Sequence, residues 1–293
     1  MLSFKVIAQI QAEKTAMHDR TLSRWVDVEH ARLYVEQAGN GVAVTMLHGF
    51  LVDSGQWDNE FAALSDTHHV VRYDARGFGR STIEPGSYAH HEDLAAVLDA
   101  CGIQRSVLLA CSGGAATALD FALMHPERVS ALIFVGAGYW GRFADRTPAA
   151  RAFLQALHTF DVNGMIDSSL RAFTDGPRRA PDAVNPAVRK RTEAMTSALF
   201  KRETSYWNRA AKDQRVLEPP ALQRLGDINV PTLLIVGSED QPEVMALSKE
   251  LAQGICGARF AAIPDAGHHA NMEAPSAVLA QIQEILAAHS LVD

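Results

Sequence analysis

Short apolar runs alternate along the chain with longer segments in which apolar residues recur every three or four positions. The short runs have the length and composition of strands buried on both faces, and they occupy residues 42–47, 70–73, 107–110, 131–135, 231–236 and 258–263. The helical pattern covers residues 53–64, 94–100, 116–124 and 244–252, and a last helix runs to about residue 288. Strands that alternate with helices at this spacing predict an α/β fold with a mostly parallel, doubly wound sheet.

Two segments depart from this alternation. Residues 25–28 and 31–36 alternate apolar and polar side chains on either side of a short turn, which predicts an antiparallel hairpin. Residues 141–225 are helical in composition but contain no strand pattern, and helical segments are predicted at 147–160, 163–173, 187–200 and 203–211. Residues 1–22 form an extension, for which a short amphipathic helix and a disordered leader are equal alternatives.

A sharp turn is predicted where the strand 107–110 runs directly into a helix. Residues 110–114 read Ala-Cys-Ser-Gly-Gly, so a polar residue stands among neighbours with small side chains or none. Such a turn strains the backbone of its central residue and leaves no room for large neighbours. Ser112 is therefore the candidate nucleophile, and Cys111 is disfavoured because Leu109, two residues earlier, is too large for the turn. An ordinary serine at the start of a helix is the alternative interpretation.

The stretch resembles the nucleophile elbow of the α/β-hydrolase family, whose usual form is Gly-x-Ser-x-Gly. Ala110 replaces the first glycine and keeps the position small. Three further segments are similar to the same family, namely His-Gly-Phe at 48–50, Asp-Ala-Arg-Gly-Phe-Gly-Arg-Ser at 74–81 and His-Pro-Glu-Arg-Val at 125–129. The resemblance covers about residues 25–288 and implies an α/β-hydrolase core with an inserted helical cap over the nucleophile.

The resemblance also implies domain boundaries. Residues 23–140 and 226–293 are expected to form the core, residues 141–225 the helical cap, and residues 1–22 a separate N-terminal extension. Apolar side chains of the cap are candidates for the wall of a substrate pocket: Phe153, Leu154, Leu157, Phe173, Met195, Leu199, Phe200, Tyr206 and Trp207.

In this family a His-Gly pair after the third strand opens the oxyanion loop, so the resemblance gives this role to the segment beginning at His48. Gly49 allows the backbone to turn, and the backbone N–H groups of Phe50 and Gly113 are expected to form the oxyanion hole. Two donors aimed at developing negative charge stabilise the transition state of acyl transfer. His48, like Cys111, is expected to be structural, and it should hold the loop by hydrogen bonds.

The same resemblance implies a catalytic triad in the chain order Ser, Asp, His. Ser112 is followed by Asp240, which ends the sequence Gly-Ser-Glu-Asp, and by His268, which follows Ala-Gly ahead of the last helix. Glu239 is set aside on register, and His269 is the rival of His268 as the base. In such a triad the histidine accepts the serine proton and the aspartate orients the imidazole. No cofactor and no metal are required.

Other motifs are weaker. The glycines of residues 76–79 are not followed by Gly-Lys-Ser/Thr, which argues against a phosphate loop. Asp74 and Arg76 are expected to pair with each other. His90 and His91 have no third metal ligand nearby in the sequence, and they are interpreted as the solvated start of a helix.

Composition and charge limit the remaining possibilities. The chain has 293 residues, 47% of them apolar, and a net charge of −7, so a nucleic-acid partner is not expected. No apolar run reaches the roughly 18 residues of a membrane span, and no signal peptide is recognised, which together predict a cytoplasmic location. Three widely spaced cysteines predict reduced core thiols, at positions 101, 111 and 256.

The charge is unevenly distributed. Residues 142–215 carry 14 Lys and Arg against 8 Asp and Glu, a net charge of +6, which leaves −13 on the rest of the chain. A basic cap over an acidic body would attract anionic substrates. The alternative is that these charges cover solvated faces of helices.

The resemblance implies a serine hydrolase that cleaves a carboxylic ester or lactone of small or medium size through an acyl-enzyme on Ser112. Hydrolysis of a carbon–carbon bond in a vinylogous diketone uses the same triad and is the alternative, although such enzymes usually have a longer glycine-containing oxyanion stretch. Perhydrolase or haloperoxidase-like side activity stays open. A non-catalytic ligand receptor is disfavoured because no triad residue is missing. Homo-oligomer formation is left open.

Overall fold

A computed structural model describes residues 21–142, 147–202 and 213–289. It is built on an eight-stranded sheet with the order β1-β2-β4-β3-β5-β6-β7-β8. The strands are β1 (Leu22–Val28), β2 (Ala31–Ala38), β3 (Ala43–Leu47), β4 (His69–Tyr73), β5 (Ser106–Ser112), β6 (Val129–Ala137), β7 (Thr232–Gly237) and β8 (Arg259–Ile263). The first two strands form the predicted antiparallel hairpin, β2 also pairs antiparallel with β4, and all other neighbours are parallel.

Helices cover both faces of the sheet. They are α1 (Asp58–Leu64), α2 (His90–Ala100), α3 (Gly113–Met124), α4 (Pro148–Thr159), α5 (Val162–Ser169), α6 (Pro186–Lys201), α7 (Pro242–Gly254), α8 (Ala270–Glu273) and α9 (Pro275–His289). Alternate residues of β5 point to opposite faces, so Leu108 packs in the cluster with α2, α3 and α7, and Leu109 in the cluster with α1 and α9. The predicted α/β fold is confirmed, because a parallel sheet buried on both faces needs apolar side chains in both directions.

The predicted helix 53–64 begins as a short 3₁₀ turn, Ser54–Trp57, and continues as α1. Asp53 caps this turn by accepting a hydrogen bond from the backbone N–H of Gly55. The helix predicted at 203–211 lies outside the described residues. The same is true of the extension 1–22 up to residue 20, and Leu22 is already the first residue of β1. The division into core and cap domains stays a prediction.

Between β6 and β7 the chain forms α4, α5, a π-helical segment, Leu170–Asp175, and α6. These elements have their own apolar cluster, in which Phe153, Met165, Ile166 and Phe200 are buried and against which Leu51 of the core packs. We call residues 147–202 the helical insert. Its helices lie after β6, where the strand and helix alternation of the sequence stops.

Several arginines of the helical insert pair with acidic residues outside it. Arg179 binds both carboxylate oxygens of Glu273, at 2.6 and 3.1 Å, and Arg178 pairs with Glu239 at 3.0 Å. These two arginines bind acidic residues of the same chain, and the two interpretations of the uneven charge stay predictions. Opposite net charges on the two parts of the chain favour their contact with each other.

Two local predictions are wrong. Arg76 does not pair with Asp74 but binds both oxygens of Asp93, at 2.5 and 2.7 Å, from a buried position. Asp74 instead accepts hydrogen bonds from the backbone N–H groups of Ser54 and Arg80. Asp93, which approaches from α2, outcompetes the sequence neighbour, because it allows the planar guanidinium to bind a carboxylate with two bonds.

His90 is the second error, since it begins α2 but is buried, with 4% of its surface exposed. Its ring stacks on Trp140 with a centroid distance of 5.6 Å and an interplanar angle of 17°. Burial lowers the pKa of His90 to about 3. The helix start is therefore packed and neutral rather than solvated, as aromatic neighbours distant in sequence cover it.

Neither a helix able to cross a membrane nor a metal-binding group of three or more His, Cys, Asp or Glu side chains occurs in residues 21–142, 147–202 and 213–289.

Candidate active site

Ser112 ends β5 and stands immediately before α3, at the turn that the sequence predicts. Its backbone has φ 50° and ψ −123°, a region that non-glycine residues rarely adopt. The crowding around it explains the small neighbours: a Cβ added at Gly114 would lie 2.7 Å from the carbonyl oxygen of Leu47. Such strain persists only where surrounding contacts impose it, and it is characteristic of functional sites.

Cys111 is fully buried in the core cluster below the turn. Burial raises the pKa of its thiol to about 12, so the reactive thiolate is absent at neutral pH. Ser112, in contrast, lines a cavity. The structure thus separates the two neighbouring candidates by placing them on opposite sides of the turn. Of the other two cysteines, Cys101 is half-buried and Cys256 is exposed, so the expectation of core thiols is wrong for Cys256.

Asp240 and His268 follow β7 and β8, and their side chains meet. Nδ1 of His268 lies 2.9 Å from Oδ2 and 3.1 Å from Oδ1 of Asp240, and both side chains are almost fully buried. Oδ1 also accepts the backbone N–H of Gln241 at 2.6 Å. A carboxylate only accepts hydrogen bonds, so Nδ1 carries the proton. Nε2 of His268 is buried, with no hydrogen-bond partner among the described residues.

The alternatives to Asp240 and His268 are placed elsewhere. Glu239 pairs with Arg178 near the surface. His269 is buried, and burial together with the adjacent His268 lowers its pKa to about 3. Its ring does not line the cavity that contains Ser112 and His268.

His48 holds the segment after β3 by two hydrogen bonds. Its Nε2 accepts the backbone N–H of Ala75 at 2.9 Å, so the ring proton is on Nδ1, which donates to the carbonyl oxygen of Gly49 at 2.8 Å. The N–H of Val52 reaches the same oxygen at 3.2 Å. Because a peptide unit is planar and trans, fixing this carbonyl directs the N–H of Phe50 the opposite way.

A second peptide unit is fixed in the same manner at the elbow. The carbonyl oxygen of Ser112 accepts the N–H of Gly138 at 3.0 Å, which directs the N–H of Gly113 away from that bond. The ring of Phe50 lies directly over this glycine, since an added Cβ would be 2.7 Å from a ring carbon. Phe50 and Gly113 therefore lie against each other next to Ser112.

A cavity of about 310 Å³ lies between this edge of the sheet and the helical insert. Ser112, Gly113, Phe50 and His268 are part of its wall. Most of the other lining side chains are apolar or aromatic, among them Leu51, Ala137, Tyr139, Trp140, Ala150, Phe153, Leu154, Leu157, Phe173, Val244 and Leu247. Of the pocket-wall residues suggested by the sequence, Phe153, Leu154, Leu157 and Phe173 line it, while Met195, Leu199 and Phe200 do not. Tyr206 and Trp207 lie outside the described residues.

One wall of the cavity is held by a carboxylate that sequence analysis missed. Asp120 of α3 is buried, and its two oxygens accept hydrogen bonds from the hydroxyl of Tyr139 and from Nε1 of Trp140, each at 3.2 Å. Burial raises the pKa of Asp120 to about 6. The sequence held a signal for this residue, since a carboxylate within the mostly apolar stretch 115–124 is expected to be buried. A buried charge needs hydrogen-bond partners.

Comparison with known proteins shows the family to which the chain belongs. The family model for the alpha/beta hydrolase fold matches residues 42–275. RutD, a proposed carbamate hydrolase of Azorhizobium caulinodans, is 33% identical over 252 residues, which are 82% of this chain and 89% of that protein. The 2-hydroxy-6-oxo-6-phenylhexa-2,4-dienoate hydrolase of Comamonas testosteroni is 26% identical over 261 residues, or 84% of this chain and 88% of that protein.

The solved structure of Est816, described as an N-acyl homoserine lactone degrading enzyme, has a TM-score of 0.73 and 25% identity to this chain. The match covers 89% of this chain and 99% of Est816. The chain therefore belongs to the α/β-hydrolase fold family of hydrolytic enzymes.

Proposed function

We propose that this hydrolase cleaves a carboxylic ester or lactone of a small or medium organic substrate through an acyl-enzyme on Ser112. One observation carries the proposal: Ser112 and His268 share the wall of one cavity, while Nδ1 of that histidine is held by Asp240. The protonated Nδ1 leaves Nε2 as the atom able to accept a proton.

The proposed reaction has two halves. In the first, Nε2 of His268 accepts the proton of the Ser112 hydroxyl as its oxygen attacks the carbonyl carbon, and the imidazolium then protonates the leaving alkoxide. In the second, His268 deprotonates a water molecule that attacks the acyl-enzyme, and Ser112 regains its proton. Asp240 stabilises the imidazolium in both halves. The proposed oxyanion donors are the N–H groups of Phe50 and Gly113, and one such donor is worth about 3 to 4 kcal/mol in the transition state.

The apolar wall of the cavity favours a substrate with an apolar acyl or alcohol group. The aromatic side chains of Phe153 and Phe173 face the site from the helical insert, and Trp140 faces it from the core. Burying apolar surface contributes about 25 cal/mol per Å² to binding. Small and medium esters or lactones with apolar substituents fit this environment. The similarity to Est816, which is described as degrading a lactone, supports the lactone alternative.

Hydrolysis of a carbon–carbon bond is the second candidate. The similarity to the dienoate hydrolase of Comamonas testosteroni supports it, and the same three side chains would serve it. The oxyanion segment at residues 48–52, His-Gly-Phe-Leu-Val, has one glycine and is shorter than is usual for such enzymes. We therefore place ester or lactone cleavage first.

The test is hydrolysis of p-nitrophenyl esters from acetate to dodecanoate, together with a lactone series and a vinylogous diketone. Ser112→Ala is the control, and it should lower turnover by several orders of magnitude with the fold intact, because nucleophile and base act as a unit. Labelling of the wild-type protein by a fluorophosphonate, located by mass spectrometry, should place the adduct on Ser112. Turnover of the diketone alone would favour the second candidate, and a fully active Ser112→Ala protein would disprove both.

A further inference from the structure

A buried glutamine joins the two loops on which the proposed chemistry depends. We call residues 48–52 the oxyanion loop and residues 264–273 the histidine segment. Gln56 lies in the 3₁₀ turn Ser54–Trp57 with 1% of its surface exposed. Its Oε1 accepts the backbone N–H of Gly49 at 3.0 Å. Its Nε2 lies 3.3 Å from Oδ1 of Asn271 and 3.5 Å from Nδ1 of His269.

The hydrogen bonds of this amide have a single consistent direction. A backbone N–H only donates, so the atom that faces Gly49 must be the oxygen of Gln56, and the nitrogen must face the histidine segment. The side-chain nitrogen of Asn271 donates to the backbone carbonyl oxygen of Gln56 at 3.0 Å and to Oε2 of Glu60 at 3.3 Å. That leaves the oxygen of Asn271 facing Gln56. Each partner specifies the orientation of the next.

The burial of the residues around Gln56 makes the loss of any of these hydrogen bonds unfavourable. Glu60 and Asn271 are fully buried, and His269 is 2% exposed. Burial raises the pKa of Glu60 to about 8, so the cluster is uncharged at neutral pH, and His269 is neutral as well. A buried polar group that loses its partner costs about 1 to 3 kcal/mol.

The hydrogen bonds of Gln56 to Gly49 on one side and to Asn271 and His269 on the other form a bridge between the two loops. The two ends of this bridge are adjacent in sequence to the proposed reacting groups. Gly49 precedes Phe50, whose N–H is a proposed oxyanion donor, and His48 fixes the carbonyl of the same glycine from the other side. His269 follows His268, the proposed base. A shift between the oxyanion loop and the histidine segment would therefore separate the donor and the base that must address one substrate carbonyl above Ser112.

We propose that Gln56 is a positioning residue that holds the oxyanion loop and the histidine segment in one fixed relative placement. This inference rests on the proposed serine-hydrolase function. It concerns the transition state rather than substrate binding, because Gln56 does not line the cavity. Loss of the bridge should consequently lower kcat and leave KM nearly unchanged.

Gln56→Met tests the proposal, since methionine has a similar shape but neither donates nor accepts a strong hydrogen bond. We expect kcat to fall about 10- to 100-fold on the best ester, as a displacement of catalytic groups by about 1 Å can cost 100-fold, with KM changed less than about threefold. The matched control is Thr45→Val. Thr45 is also fully buried, and its hydroxyl lies 2.8 Å from that of Ser106 at the start of β5.

A double-mutant cycle with Asn271→Leu makes the test specific. If one bridge carries both effects, the loss of kcat in Gln56→Met/Asn271→Leu should be close to that of the worse single variant rather than to the product of the two. Asn271→Leu alone should also lower kcat at constant KM, which keeps the proposal testable if Gln56→Met is not recovered in folded form. Circular dichroism and thermal unfolding establish folding for each variant.

The outcomes separate this inference from the function it rests on. If Gln56→Met has a kcat within twofold of Thr45→Val, or if its loss appears in KM, the positioning role is wrong while Ser112-dependent hydrolysis stands. If losses multiply in the cycle, the two residues act separately and the bridge is disproved. If Ser112→Ala is fully active, or if the fluorophosphonate adduct is not on Ser112, the serine-hydrolase function itself fails.

Discussion

The indole N–H of Trp140 donates to the carboxylate of Asp120 across 3.2 Å, and this bond connects the helix after the elbow to the wall of the cavity. Trp140 lies on that wall with its ring 5.1 Å from Phe50 and stacked on His90. The hydroxyl of Tyr139 binds the other carboxylate oxygen. One buried side chain thus orients two aromatic residues that substrate would contact.

We predict that Asp120→Leu lowers the free energy of unfolding by about 1 to 3 kcal/mol, because two donors lose their shared acceptor. We also expect the preference among p-nitrophenyl esters of different chain length to change, since Tyr139 and Trp140 would lose the carboxylate they share. The hydroxyl of Tyr139 would keep its hydrogen bond from the backbone N–H of Ala221. Thermal unfolding and the ester series measure the two effects. Asp99→Leu, at an exposed position of α2, is the control, and an unchanged ester profile in Asp120→Leu would contradict the prediction.

The hydrogen bond between Asp240 and His268 also depends on the absence of a side chain at Gly136. Its φ is +57°, and an added Cβ would lie 3.0 Å from Nδ1 of His268 and 3.1 Å from Oδ2 of Asp240. Gly136→Ala should therefore displace this hydrogen bond and lower kcat about tenfold or more. Gly102→Ala is a matched control, because Gly102 has φ +70° and no atom within 4 Å of the added Cβ.

The comparison of these two alanine variants separates backbone strain from crowding. Both should lose about 1 to 2 kcal/mol of stability, the cost of a left-handed conformation for a residue with a side chain. Only Gly136→Ala should lose activity. Equal kcat values for the two variants, measured on one ester, would show that the pair tolerates the added methyl group.

Cys111 adjoins the proposed nucleophile in sequence but is fully buried with a protonated thiol. We predict that Cys111→Ala retains ester hydrolysis within about tenfold, since the change removes one buried sulfur and leaves Ser112 in place. Iodoacetamide should leave the activity of the wild-type protein unchanged, as alkylation needs an accessible thiolate. Loss of activity in both measurements would reopen the assignment of Ser112.

The sequence predicted features that depend on local pattern. The elbow could be located because a strand that turns directly into a helix tolerates only small residues around Ser112. Asp240 and His268 were suggested by the resemblance to the α/β-hydrolase family. Both follow strands, and parallel strands bring their carboxyl ends to one edge of the sheet. What positions these side chains was not predictable from local pattern.

Most of the missed and mistaken features depend on contacts between segments that are separated in the sequence. Gln56 and Asn271 are 215 residues apart, and no periodicity relates them. Arg76 was assigned to the nearest carboxylate in sequence, whereas Asp93 approaches from α2 with better geometry. His90 is polar and begins a helix, yet Trp140 covers it. Propensity and spacing do not contain the packing that decides such cases.

Glu60 gives a prediction for stability as a function of pH. Burial raises its pKa from 4.5 to about 8, so the folded protein holds a proton that the unfolded chain has lost between those two values. The free energy of unfolding should therefore contain a contribution that is fully present below pH 4.5 and is lost as the pH rises to 8. Each pH unit in this window is worth up to about 1.4 kcal/mol.

Glu60→Gln removes this titration while keeping a side chain of similar shape. We predict that the variant becomes progressively more stable relative to the wild-type protein between pH 5 and pH 8, by analogy with a permanently protonated Glu60. Urea unfolding at several pH values measures the difference. Glu284→Gln, in an exposed pair with Arg259, should give a difference that varies little over the same range. Parallel pH curves for Glu60→Gln and the wild-type protein would show that Glu60 is ionised in the folded state.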